Sequence, residues 1–203
     1  MGSYHKPVRR PGDVIEVLCG SGDPADVTAL AHDTAHALLS RVRGSSDPQL
    51  VEAVIAYADE QGIDDVAELW SGAEADTLPG ALWRLYLLRF TVADNPAGAG
   101  YRFRSGLMLD TVGQALAGAG NMPTPEEVVD LATEILRGAF SGDFGVALDR
   151  ASGFARVLAV GSNELAGSDS ADSEAETRLA TGLAKMSQEL AEAARLWRAD
   201  RLD

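Results

Sequence analysis

Two groups of side chains in this sequence have the types and spacing that chemistry requires. The first is cationic and aromatic. Arg84 and Arg89 interrupt the most apolar segment of the chain, residues 78–95, where Trp83 and Tyr86 stand beside them; Tyr101 and Arg102 follow a few residues later. A guanidinium on an apolar helix must find a carboxylate or carbonyl, or else face a cavity. Arg84, Arg89, Tyr86, Trp83, Tyr101 and Arg102 therefore define a candidate pocket for an anionic ligand. The competing reading is internal ion pairing, the usual fate of buried charge. The second group is His32 and His36. Histidines four apart lie on one side of a helix and can share a metal ion.

The surroundings of the histidines count against a metal. At about 100° per residue, Val27, Ala31 and Leu38 fall within about 40° of one another, and His32 and His36 lie nearly opposite, facing water. His32-Asp33-Thr34-Ala35-His36 resembles the His-Glu-x-x-His motif of zinc metallopeptidases, with aspartate in place of glutamate and so a shorter reach for the general base. His32-Asp33 also resembles the HD phosphohydrolases, which need a further helical histidine upstream; the one upstream histidine here is His5. No metal site and no catalytic residue is assigned.

A third motif lies near the N-terminus. Val-Ile-Glu-Val-Leu-Cys-Gly-Ser-Gly, residues 14–22, resembles the first motif of Rossmann-like S-adenosylmethionine methyltransferases. The resemblance implies a cofactor lying against a glycine loop, with Glu16, Gly20 and Gly22 at the matching positions. Leu18 stands where the family has its first glycine, and a side chain there intrudes on the tight turn. A doubly wound sheet also requires strands to alternate with helices after the loop. The following segments carry helical spacing instead, so the methyltransferase is the alternative reading and no cofactor is assigned.

Composition narrows the partners. The chain has 203 residues, 46% of them hydrophobic, and a formal net charge of -14. At this size it buries roughly 70% of its unfolded surface, enough for a core without staples. Of the 17 basic residues, Lys6, Arg9 and Arg10 lie in the first twelve, leaving 14 against 31 acidic ones. Such a body repels phosphate backbones and anionic lipid, so direct nucleic-acid binding and membrane association are not expected. Only the basic tail supports the further alternative of a nucleic-acid-associated regulatory protein. Cys19 is the single cysteine, no apolar leader is visible, and 78–92 is too short to span a bilayer, so a cytoplasmic location is expected.

Helix start and stop signals organise the rest. Residues 1–12 read as a flexible basic tail and 13–19 as a short extended arm. Asp23-Pro24 and Asp47-Pro48 each open a helix, ended by Gly44 and Gly62. A short helix is expected at 64–70. The segment 78–95 reads as the central helix, apolar on almost every side, stopped by Asn95-Pro96. Residues 97–104 read as a further turn or two, weakened by glycines, and 107–117 as a helix with Leu107, Leu109, Val112 and Leu116 on its apolar side. Thr124-Pro125-Glu126-Glu127 is a capping box. Phe144, Leu148, Ala151, Ala155 and Leu158 make a packing seam on the next helix. After a polar linker at 167–174, Leu179, Leu183, Met186, Leu190, Ala193 and Trp197 make another, available to its own bundle or to a dimer.

The expected fold is all-α: a single-domain bundle of about eight helices over 13–203, with a short N-terminal extended arm. It resembles the small all-α proteins of high-GC, actinobacterial type, a resemblance that implies no mechanism. The expected function is non-enzymatic, through a protein partner or through self-association as a homo-oligomer.

Overall fold

Proline and a short polar side chain start most of the helices. In the computed structural model, which describes residues 24–45, 47–60, 69–118, 123–167 and 173–203, these are α1 (Pro24–Arg43), α2 (Pro48–Glu60), α3 (Leu78–Asp94), α4 (Pro96–Leu107), α5 (Thr111–Ala117), α6 (Pro125–Ser141), α7 (Phe144–Ala166) and α8 (Ser173–Arg198). The described residues contain no strand, so from residue 24 onward they lack the strand–helix alternation that the glycine motif would need. The basic tail, the extended arm with Glu16, Gly20 and Gly22, most of the short helix expected at 64–70, and residues 168–172 of the linker lie outside the described residues.

Each cap satisfies an amide that the first helical turn leaves unbonded. Thr77 Oγ1 accepts from Gly80 N, Asn95 Oδ1 from Gly98 N and Asp143 Oδ1 from Val146 N. At α6 the capping box is complete: Thr124 Oγ1 accepts from Glu127 N, and Glu127 Oε2 accepts from Thr124 N at 2.7 Å. The C-terminus of α6 is closed from a distance. Arg43, at the end of α1, donates to Ala139 O and Gly142 O, with its guanidinium 5.8 Å from the Phe144 ring centre and 5.6 Å from that of Trp197. A cation on the last carbonyls of a helix is favoured by the helix dipole as well as by the hydrogen bonds.

The element at the centre is α7, and not α3 as the apolarity of 78–95 suggests. Helix α7 packs against α8, α4, α6, α5 and α3. It buries Ala147, Ala151, Ser152, Gly153, Ala155, Ala159, Gly161 and Ser162 along with its larger apolar residues. Small side chains let several backbones approach one helix at once. Helix α3 is covered less completely: Leu78, Leu82, Leu85, Tyr86, Leu88 and Val92 are buried, but Phe90 is 40% exposed and Trp83 and Leu87 are half-buried.

Two helices differ in extent from their sequence patterns. Helix α4 is twelve residues long despite its glycines, because those glycines are contact points. A Cβ on Gly106 would stand 1.9 Å from Val157 O, and one on Gly161 would stand 1.8 Å from Arg102 O and 3.0 Å from Gly106 N. Backbone meets backbone where α4 crosses α7, and only glycine leaves room. The expected helix over 107–117 is broken at 108–110. Leu109 N and Asp110 N both donate to Gly106 O, closing α4, and Asp110 then caps α5. At the other end of the chain, Asp200 adopts a left-handed φ of 55° and Arg201 N donates to Leu196 O, so that Leu202 turns into the core.

Candidate functional site

The six residues of the candidate anionic pocket are spread over the molecule. Arg84 Nε donates to Glu189 Oε2 on α8 at 2.7 Å and its Nη1 to Gly80 O at 2.9 Å. Arg102 makes a two-pronged pair with Glu176, near the other end of α8, at 2.9 and 2.5 Å. Glu176 and Glu189 are separated by about 20 Å of helix at 1.5 Å per residue, so Arg84 and Arg102 do not converge. Arg89 points a third way and donates to Thr133 Oγ1 on α6 at 3.1 Å. Tyr86 is buried beneath an apolar groove of about 410 Å³ lined with Leu38, Ala53, Val54, Leu69 and Trp70. Trp83 is half-buried, and Tyr101 is 56% exposed on α4.

The electrostatics of these pairs are those of cross-links. The hydrogen bond from Arg102 holds the Glu176 carboxyl below its ordinary value; burial opposes this, and the guanidinium charge reinforces it. Arg137 on α6 lowers Glu52 on α2 in the same way through a 2.6 Å hydrogen bond. Each pair joins helices distant in sequence.

The histidines flank the buried stripe of α1 and do not oppose it. Ala31, Ala35, Leu39 and Val42 are the buried positions, while Val27 is 36% exposed. The stripe is rotated by about 55°, roughly half a residue step, from the one formed by Val27, Ala31 and Leu38. His32 is consequently half-buried and lines a cavity of about 400 Å³ with Thr28, Ser71, Glu74 and Thr77. His36 is half exposed, its Nε2 3.5 Å from Asp203 Oδ1. Among the described residues no three His, Cys, Asp or Glu side chains are grouped to hold a metal.

The feature that the sequence pattern hid is the elbow between α4 and α5. Met108 is 75% exposed, Leu109 59% and Val112 57%. Tyr101 lies two turns back from Met108 on the same side of α4. The elbow is tied to the fold by hydrogen bonds. Asp110, buried to 6% exposure, accepts from Gly113 N at 3.0 Å and from Arg156 Nε at 2.5 Å. Helix α5 then packs on α7 through Gly113 and Ala117, leaving Leu109 and Val112 turned outward. Periodicity places both on an inner stripe with Leu107; of these three, Leu107 is buried, at 6% exposure, and the other two are not. The available signal was Asp110 followed three residues later by Gly113, a cap within the expected helix.

The exposed surface of Tyr101, Met108, Leu109 and Val112 sums to on the order of 500 Å², within the range of the largest apolar patch on an ordinary monomer. No described helix is long and apolar enough to cross a membrane. Comparison of the chain with family models, with curated proteins and with solved structures finds no match.

Proposed function

We propose that this protein is a non-enzymatic helical module that works by docking another protein surface against the α4–α5 elbow. The observation that carries this reading is the outward placement of Tyr101, Met108, Leu109 and Val112, each more than half exposed, on a turn fixed by the buried Asp110 cap. Covering roughly 500 Å² of apolar surface at about 25 cal/mol per Å² is worth on the order of 12 kcal/mol before the cost of association. That cost is about 4–15 kcal/mol. The patch therefore suits a reversible contact that rim residues strengthen. Because the elbow is already shaped by its ion pair and cap, little ordering is needed on binding.

A photo-crosslinking residue at Met108, introduced into the chain in its own host, tests this reading. The expected result is a discrete adduct at Met108 and none from the same residue placed at Thr181, exposed on α8. Equal labelling at both positions would show an inert elbow.

A further inference from the structure

The elbow also differs from the rest of the chain in charge. Residues 95–122 contain two arginines, Arg102 and Arg104, and one acid, Asp110, in a chain whose formal net charge is -14. Arg102 is taken up by Glu176, Asp110 by Arg156, and Arg104 Nη1 donates to Pro123 O. The charges that this segment itself carries are thus engaged within the fold. A basic protein drawn to this acidic chain would find no free carboxylate in 95–122 to hold it. A surface that is itself apolar and close to neutral matches the elbow, and the chain carries such a surface: a second elbow.

We infer that the docking partner is another copy of this chain, bound elbow to elbow across a two-fold axis; this rests on the elbow being a docking surface. A two-fold contact uses the same patch on both sides and closes on itself. Two patches of roughly 500 Å² make an interface of about 1,000 Å², the lower bound for a specific protein contact. The pairing brings Met108, Leu109 and Val112 of one copy against those of the other, and the one carboxylate of the segment, Asp110, is held by Arg156. The acidic surfaces elsewhere still repel over longer distances, and salt screens that repulsion. Self-association therefore strengthens with ionic strength, the opposite of a contact held by charge attraction.

Analytical ultracentrifugation of the untagged full chain, across micromolar concentrations at low and high salt, tests the inference. The expected result is a monomer–dimer equilibrium that tightens severalfold in high salt and weakens by about tenfold or more in the Leu109→Asp/Val112→Asp variant, a loss of roughly 1.4 kcal/mol. A crosslink serves if that variant fails to fold. With Cys19→Ser, Leu109→Cys is expected to oxidise to a covalent dimer and Thr181→Cys is not, since a disulfide requires Cα atoms within about 7 Å. A chain that stays monomeric at every concentration while Met108 crosslinks to a different protein would overturn the second-copy assignment and leave the docking reading standing. A monomeric chain with no adduct at Met108 would overturn both. A dimer that the double variant leaves intact would place the contact elsewhere and overturn this inference.

Discussion

Helix α4 has two sides that obey opposite rules. On the side facing α7, Gly106 and Phe103 are buried, and the approach is so close that a single methyl on Gly106 would meet Val157 O. On the other side and around the elbow, Tyr101, Met108, Leu109 and Val112 contribute their large side chains to solvent. Several residues conventionally counted as core formers are outside, and a residue counted as a helix breaker, Gly106, lies where α4 and α7 come closest. Burial here is set by how near two backbones must come, and hydropathy alone misassigns both sides.

The largest expected effect comes from filling the tight side. Gly161→Ala should destabilise the protein by about 3 kcal/mol or more, as overpacking does where the obstacle is backbone. At this position the new methyl would stand 1.8 Å from Arg102 O. Helix propensity alone gives the opposite sign, a gain of about 1 kcal/mol for Ala over Gly in a helix interior. Urea denaturation decides between them. A stabilised Gly161→Ala variant would show that the crossing is looser than described. Gly182, on α8 with open space around it, is the control at which Ala should stabilise.

Next in size is the clasp beside that crossing. Arg102→Met leaves Glu176 without its partner at 13% side-chain exposure, and should cost about 2 kcal/mol at neutral pH. The effect depends on pH. Because the folded Glu176 carboxyl is held below its ordinary value of 4.5, the pair's contribution is present above that value. It is lost as pH falls through the lower folded one. The gap in melting temperature between wild type and Arg102→Met should therefore narrow on acidification below about pH 4.5. A gap constant down to pH 3 would mean that Arg102 acts through packing alone.

Local chemistry was legible: Asp-Pro and Thr-Pro-Glu-Glu start helices where they stand and Asn-Pro stops α3, since a cap needs only residues within one turn. The need of Arg84 and Arg89 for compensation was legible too, but not its source, because Glu189 and Thr133 lie 105 and 44 residues away. The centrality of α7 was not visible, because Ala, Gly and Ser are buried there by the helices that arrive around them. The elbow was concealed by its own apolarity: Leu109 and Val112 fit a helical stripe, and only the cap at Asp110 breaks it.

A smaller effect is expected at that cap. Asp110→Ala removes both the acceptor for Gly113 N and the partner of Arg156, and should cost about 1–2 kcal/mol, concentrated in α5. Asp110→Asn keeps the cap acceptor and removes the charge. Hydrogen exchange at Gly113 separates the two: protection lost in Asp110→Ala and retained in Asp110→Asn would assign the elbow's rigidity to the cap. Loss in both would assign it to the ion pair.

The smallest expected effect tests the open side directly. If Leu109 belonged to a buried stripe, placing an aspartate there would strand a charge in the core and unfold the domain. At 59% exposure, Leu109→Asp should instead change the stability of the isolated chain by no more than about 0.5 kcal/mol. The denaturant slope should be unchanged, because the surface exposed on unfolding is the same. Concentration supplies the contrast. A folded state that pairs through the elbow gains stability by mass action, so the wild-type midpoint should rise with protein concentration. The Leu109→Asp midpoint should stay fixed, because a charge at the centre of an apolar contact removes the pairing and leaves the fold. Parallel concentration dependence in the two proteins would separate the exposed side of α4 from any role in association.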